Sequence, residues 1–256
     1  MTKTVLITGS TSGIGLGIAT EFAKAKYNIV FNGLEANGLE IAENIGKEYG
    51  VKTMFSNANM LKQDELKNMV NESINMFGKI DVLVCNAGIQ YVSPIEDFPV
   101  EKWDAIIGIN LTSSFHLSKA VWPTMKEEKF GRIINIASAH GLVASEFKSA
   151  YVAAKHGIVG LTKVLALEGA PFNITCNAIC PGYVKTPLVE KQISDQAKAH
   201  NMSEADVVNK VMLHKQAVKQ FVPLETLGKL AVFLASEEAG TITGTAMPVD
   251  GGWNAQ

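Results

Sequence analysis

Only three cysteines, Cys85, Cys176 and Cys180, occur in 256 residues. Their odd number and their setting in apolar, strand-like runs argue against a disulfide framework or a cysteine-built metal site; buried reduced thiols are expected. Charge imbalance is equally scarce: 23 Lys and Arg stand against 25 Asp and Glu, a net charge of -2. That balance gives no electrostatic footing for nucleic acid or an anionic bilayer, and neither is expected as a partner. No apolar run approaches the roughly 18–20 residues of a membrane span. The first strand begins by Thr4, without space for a secretory leader, so the chain reads as cytoplasmic. Four Asn-x-Ser/Thr triplets, including Asn110-Leu111-Thr112, are then expected to stay unmodified. No Pro/Gly/Ser-rich linker and no repeat divides the sequence, and a single domain over 1–256 is expected.

What is present is alternation. The short runs TVLITG, NIVFNG, VKTMFSNA, IDVLVCNAG, RIINIAS, ITCNAICPG and TAMPVDGG are separated by amphipathic stretches such as DELKNMVNESINMFG. Near-continuous apolar strands joined by helices predict an α/β fold, a parallel sheet of about seven strands with helices on both faces. Pro248 cannot donate to a sheet ladder, which assigns the last strand to an edge. The polar, helical stretch 188–220 breaks the rhythm, and Ser203 with Asp206 three residues on resembles a capping box. It reads either as a surface helical pair or as a substrate lid over the carboxyl ends of the strands.

The first strand runs into Thr8-Gly9-Ser10-Thr11-Ser12-Gly13-Ile14-Gly15. Glycines at such a junction let the backbone turn tightly and approach a pyrophosphate, which the free N–H groups of the next helix can bind. The spacing is G-x-x-x-G-x-G rather than the commoner G-x-G-x-x-G, and Gly17 is open to a plain packing role. The second strand ends Asn32-Gly33-Leu34-Glu35, where the adenosine ribose of a dinucleotide would lie. Neither stretch holds Arg or Lys, so a 2′-phosphate would lack a cation and NAD is favoured over NADP. Glu35 is either an acceptor for ribose hydroxyls or a solvated turn residue.

Residues 149–157 read SAYVAAKHG. On a helix, Tyr151 and Lys155 share one face. A phenol with its ordinary pKa near ~10 is a poor base at neutral pH, but a cation within ~4–6 Å lowers such a value by roughly 1–3. Lys155 is expected to supply that cation, and Tyr151 to act as general acid and base.

Together, TGSTSGIG, NAG at 86–88, Asn110, Ser138, the Tyr151-x-x-x-Lys155 pair and PGYVKTP resemble the short-chain dehydrogenase/reductase family, in the family's order and over essentially the whole chain. The resemblance implies a Rossmann-like, doubly wound sheet and a homotetramer. It carries cofactor contacts onto Gly9, Thr11, Ser12, Gly13, Ile14 and Gly15, onto Asn32, Gly33, Asn59 and Met60, and onto Asn86, Ala87 and Gly88. Further contacts fall on Tyr151, Lys155, Pro181, Gly182, Val184 and Thr186, with Thr186 bonding the nicotinamide carboxamide. It gives Ser138 a bond to the reacting oxygen, Lys155 a bond to the nicotinamide ribose, and Asn110 a proton-relaying water. Two positions depart from the pattern: Asn59 stands where an aspartate is usual, and Cys85 replaces a common asparagine. An amide can still bond an adenine, so the first departure bears on affinity.

Within the family, NAGIQ, IASAHGLVAS, the 148–157 run, PLVEKQIS and VDGGW resemble members that interconvert (R)-3-hydroxybutyrate and acetoacetate. The resemblance assigns a carboxylate-binding set to Gln90, His140, Lys148 and Gln192, with Trp253 closing the pocket. A buried carboxylate needs a cation or several strong donors. Lys148 is therefore expected to be the main counter-charge, since glutamines offer only dipoles. Taken singly, these residues also read as surface amides, a packed histidine and a solvated lysine; Ser138 also reads as a strand-end cap, and Asn110 as a structural bond. Two rival functions stand beside this one: a ketoacyl thioester reductase using NADPH, and a nucleotide sensor that has kept the fold without chemistry.

Overall fold

The computed structural model describes residues 2–186, 189–190, 193, 197 and 202–255. Seven strands, β1 (Thr4–Ile7), β2 (Asn28–Asn32), β3 (Thr53–Ser56), β4 (Val82–Cys85), β5 (Gly131–Ile136), β6 (Ile174–Pro181) and β7 (Ala246–Val249), coincide with the seven apolar runs. They form one sheet in the order β3-β2-β1-β4-β5-β6-β7, parallel at every pairing. This is the Rossmann-like arrangement. The direction of winding reverses between β1 and β4, and a ligand crevice is expected beyond the carboxyl ends of those two strands. β7 lies at the edge that Pro248 requires, with Pro248 opposite Cys180 and exposed.

Successive side chains on a strand point to opposite faces, and both faces here are apolar. Val5 and Ile7 join a core layer with Ile18 and Phe22 of α1 (Gly13–Lys24) and Ala42 of α2 (Gly38–Tyr49). Leu6 and Leu83 face the other layer, built with Met69 of α3 (Gln63–Phe77). Ile106 of α4 (Val100–Ile107) packs on Ala150 and Ala154, while Leu117 of α5 (Ser113–Glu127) joins the second layer. Leu165 of α6 (Ser149–Gly169) lies in that layer, and Leu227 of α7 (Leu224–Leu234) lies in the first. Gly17 is a packing residue: a Cβ there would come within 2.8 Å of the Leu224 Cβ, so it sets the approach of α1 and α7.

The three cysteines are free and buried, and burial pushes the Cys85 thiol up to about 12 and Cys180 up to about 11. Thiols held so far from ionisation are inert. One helical stretch, Ser149–Phe172, is long and apolar enough to pass for a membrane span by length and composition. Its residues Ile158, Leu165 and Ala166 are buried in core clusters, and Lys155 is buried within it, as in the core helix of a globular domain.

Two segments among the described residues are π-helical. Gly108–Thr112, between α4 and α5, is π-helical and carries Asn110. In the 188–220 stretch, Ser203 Oγ accepts the Asp206 N–H at 3.1 Å, capping the helical turn Glu204–Asp206 that widens into a π-helix at Val207–Met212. Val207 and Met212 pack with Tyr183 and Val189, so this stretch lies against the loop leaving β6.

Candidate active site

The glycine-rich turn is shaped by residues that only glycine suits. Gly9 and Gly13 have φ of +59° and +52°, a region costly for any residue with a Cβ. A methyl on Gly15 would strike the Gly9 carbonyl oxygen and the Asn86 side-chain amide, so Gly15 serves close packing rather than lining the cleft. Two amides bolt the turn down. Asn86 Nδ2 donates to the carbonyls of Thr8 (2.9 Å) and Gly9 (3.0 Å), and Asn32 Oδ1 accepts the Gly9 N–H at 3.2 Å.

Beyond the carboxyl ends of β1 and β4 lies a cleft of about 450 Å³. Gly9, Ser12, Gly13 and Ile14 line its floor, with Asn32, Gly33, Asn59 and Met60 at one end. Asn86, Ala87, Gly88, Tyr151, Lys155 and Thr186 line the remainder. Thr11 stands outside the lining: its hydroxyl donates to the Glu35 carboxylate, which also accepts from Ser12 Oγ at 3.3 Å. These bonds, Thr11's first, hold Glu35 below the usual carboxylate range and fix its charge at the end of β2. Asn59 Oδ1 accepts the Leu61 N–H at 2.9 Å, a local turn that occupies the amide oxygen. Among the described residues the cleft contains one cation, Lys155, and at the β2 end its charged group is the Glu35 carboxylate.

Ser138 follows β5 in extended conformation and accepts the His140 N–H at 3.1 Å, so the strand-end cap foreseen as an alternative is present. Tyr151 and Lys155 share one face of α6, with Lys155 Nζ 5.6 Å from the phenol ring centroid. The phenol is not lowered as Lys155 was expected to lower it. Tyr151 is half-buried, with its hydroxyl surrounded by protein, and burial pushes it above its ordinary value. The Ser138 hydroxyl's hydrogen bond pulls it back, and Tyr183 pushes it further up. Lys155 meanwhile donates to the Ile136 carbonyl at 2.7 Å and is itself lowered by burial to about 8. Burial therefore dominates at the phenol, while the Lys155 ammonium is held one turn away by its bond to the Ile136 carbonyl.

Asn110 also takes its structural alternative. Its Oδ1 accepts the Ile89 N–H and its Nδ2 donates to the Ile89 carbonyl, each at 2.9 Å, tying the π-helix to the loop after β4. π-Helical turns frequently mark functional sites.

A second cavity of about 160 Å³ adjoins the first. Ser138, His140, Lys148, Tyr151 and Trp253 line it, joined by Gln90 and by Pro181, Gly182, Val184 and Thr186 from the loop after β6. Pro181, Gly182 and Val184 thus face this cavity rather than the larger cleft. Gln192 lies outside the described residues. Among the described residues, no Asp or Glu lines this cavity. His140 is 5% exposed, its Nε2 lies 2.9 Å from Ser145 Oγ, and its ring stands edge-on to Trp253 at 5.0 Å. Burial, then Lys148 and Lys215, pushes it down to about 4. Lys148 is lowered as well, by burial first and then by Lys215.

Sequence reasoning missed Tyr183, which stacks on Trp253 at 5.8 Å and 10°, and Lys215, whose Nζ lies 5.7 Å over the same ring. Tyr183 was visible within PGYVKTP; Lys215 has no local signal, because its partners come from distant segments.

The position of His140 has a pH consequence. Its folded value lies below its unfolded one, so the folded chain binds fewer protons between about 4 and 6.5, and stability falls as pH drops through that window. The contribution reaches about 3 kcal/mol at pH 4. Urea titrations across that range should show a shallower slope for His140→Gln; identical slopes would mean that His140 titrates normally.

The sheet order, the glycine turn and the Ser138–Tyr151–Lys155 arrangement define a nucleotide-dependent oxidoreductase. The short chain dehydrogenase family matches residues 3–197, and the chain belongs to it. It is similar to the D-beta-hydroxybutyrate dehydrogenase of Rhizobium meliloti (strain 1021), with 55% identity over 259 residues and 100% of each chain covered. The enzyme of that name from Cupriavidus necator (strain ATCC 17699) is 52% identical over 254 residues, covering 99% of this chain and 98% of that one. Among solved structures, a variant actinorhodin polyketide ketoreductase with NADPH has a TM-score of 0.93 at 30% identity, covering 100% of this chain and 98% of that chain.

Proposed function

We propose that the protein interconverts (R)-3-hydroxybutyrate and acetoacetate by hydride transfer to and from NAD, with Tyr151 as general acid and base. The observation that carries this reading is that Tyr151 forms a wall common to both cavities, one of about 450 Å³ lined by the glycine turn and one small and cationic. Two dehydrogenases similar to this chain over its full length carry the matching activity in their names.

The cleft fits a dinucleotide on its own features: a turn lined by Gly9 and Gly13, both at positive φ, and an ionised Glu35 beside the end of β2. When bound, the nicotinamide accepts a hydride in oxidation and gives one in reduction. The chain's residues do the rest. Lys148 neutralises the substrate carboxylate, and neutral His140 and Gln90 offer hydrogen bonds to it. Ser138 bonds the reacting oxygen. Tyr151 takes the alcohol proton as the C–H bond breaks, and returns a proton to the ketone oxygen in the opposite direction. Lys155, buried one turn away, bonds the ribose hydroxyls and steadies the phenolate as it forms. Asn110 stays with Ile89 and orders the loop lining both cavities, where a water bonded to it relays protons from Lys155.

Glu35 is the basis for NAD rather than NADP, since a fixed carboxylate accepts from ribose hydroxyls and repels a 2′-phosphate. Glu35→Ala is expected to lower the preference for NAD over NADP, as a ratio of kcat/KM values, by about 10- to 100-fold. An unchanged ratio removes Glu35 from cofactor choice. The protein is read as a homotetramer, with exposed Phe115, Val164 and Leu167 on α5 and α6 available as contact residues. The 202–212 part of the 188–220 stretch is read as one side of a lid, and the protein as cytoplasmic.

The direct test is to mix the protein with NAD and racemic 3-hydroxybutyrate and follow reduced-nicotinamide absorbance. Consumption of half the racemate supports the reading. No signal, with turnover of acetoacetyl thioesters by NADPH, overturns it.

A further inference from the structure

We propose that Ser145 is a positioning residue for substrate binding: it keeps the ring proton of His140 on Nδ1, so that the small cavity meets a donor there and not a lone pair. The proposal rests on the hydroxy-acid function and names what makes the histidine of that same site useful to a carboxylate.

His140 sits on a short 3₁₀ turn, Ala139–Gly141. A Cβ on Gly141 would come within 2.7 Å of the Lys155 carbonyl oxygen, so this turn packs directly on α6. The chain then folds back on itself. The N–H groups of Leu142 and Val143 both donate to the Ala139 carbonyl, at 3.0 and 3.1 Å. Phe147 takes a φ of +65°, a region that a residue with a Cβ enters at a cost, and its carbonyl accepts the Ser93 N–H at 2.9 Å. The reversal returns Ser145 to His140, five positions earlier, with its Oγ 2.9 Å from Nε2. Trp253 and Tyr151 set the plane of the imidazole, which meets their rings edge-on at centroid distances of 5.0 and 6.0 Å.

Burial keeps His140 neutral at pH 7, so its ring carries one proton for two nitrogens. Those nitrogens face different neighbours: Nε2 faces Ser145, and Nδ1 lies 3.5 Å from Ser138 Oγ. Ser138 lines the small cavity and Ser145 does not, which puts Nδ1 on the cavity side of the ring. Ser138 Oγ already accepts the His140 backbone N–H at 3.1 Å. Its own hydrogen goes to the Tyr151 phenol, because only a donated bond pulls that phenol down. A hydroxyl has one hydrogen, so none is left for Nδ1. The compatible arrangement has the proton on Nδ1, while the Ser145 hydroxyl turns to donate to Nε2. The bond made by one ring nitrogen thus decides the state of the other. At 3.5 Å Ser138 holds Nδ1–H only loosely, which leaves that N–H for a stronger, charged acceptor. With the proton on Nε2 instead, an incoming carboxylate would face a lone pair.

The test reads the ring ¹⁵N spectrum of histidine-labelled protein near neutral pH, without substrate, the His140 signals being those lost in His140→Gln. In the wild type Nδ1 should be the protonated nitrogen and Nε2 the bare one. In Ser145→Ala the Nε2–H form should become a major species, and KM for 3-hydroxybutyrate should rise about 5- to 10-fold with kcat within about two-fold. Ser145→Thr keeps the hydroxyl and should restore both the spectrum and KM. For the uncharged methyl ester, kcat/KM should stay within about two-fold in Ser145→Ala. A wild-type ring protonated on Nε2, or an acid KM that Ser145→Ala does not move, overturns the proposal. Equal losses on acid and ester overturn it too, since they mark plain packing. An active wild type with any of these results sinks this inference alone; a wild type inactive on 3-hydroxybutyrate sinks the functional reading and this role with it.

Discussion

Tyr151→Phe should lower turnover by about 10³-fold in both directions while leaving NAD affinity within a few-fold of wild type. A positioned acid–base group contributes roughly 10²–10⁴ in rate, and phenylalanine keeps the ring that walls both cavities while removing the hydroxyl that exchanges the proton. Because burial holds the phenol above its ordinary value, the neutral form dominates near pH 7. Acetoacetate reduction needs that form and should be nearly level with pH there, whereas oxidation needs the phenolate and should rise as pH rises. The measurement is a pair of pH–rate profiles with cofactor binding followed by fluorescence. Retention of a tenth or more of wild-type turnover in the variant would show that the proton moves by another route.

The second large effect is expected at Lys148. Removing one partner of a buried ion pair costs about 3–5 kcal/mol, because the other charge is left without compensation. Lys148→Ala should accordingly reduce kcat/KM for 3-hydroxybutyrate by about 10²- to 10³-fold. Neutral His140 cannot substitute, being held near 4. Lys148→Arg should recover part of the loss, since it restores charge with a different shape. Steady-state kinetics with the acid and with its methyl ester separates charge from packing: the ester should be nearly indifferent to Lys148→Ala. A Michaelis constant and turnover unaltered for the acid would remove Lys148 from the site.

The strands were legible because their signal is local. A run such as RIINIAS can satisfy a sheet buried on both faces and little else, and it became β5, buried at all six positions. Pro248 likewise announced an edge. The glycine turn was legible for a related reason, since Gly9 and Gly13 occupy backbone regions that other residues avoid. Less of the site could be read. The i,i+4 spacing put Tyr151 and Lys155 on one face, but whether the ammonium acts on the phenol depends on what else lies within reach. The carbonyl of Ile136, on another element, accepts one of its hydrogen bonds. The contact of Lys215 with the Trp253 ring was invisible because it follows from the packing of Gln216 beneath Tyr183 and Gly182, contacts that span more than thirty positions of sequence.

The five residues of Gly108–Thr112 are wound more loosely than their neighbours, and the bond pair from Asn110 to Ile89 depends on that winding. Each residue of a regular helix advances the azimuth by about 100°. One extra residue taken up in a wide turn therefore shifts the angular phase between α4 and α5: Ile106 stays against α6 while Leu117 joins the layer on the sheet, and Asn110 between them is bonded to Ile89. The irregularity works as a phase shifter, decoupling the demands of two packing surfaces from the orientation of one polar side chain.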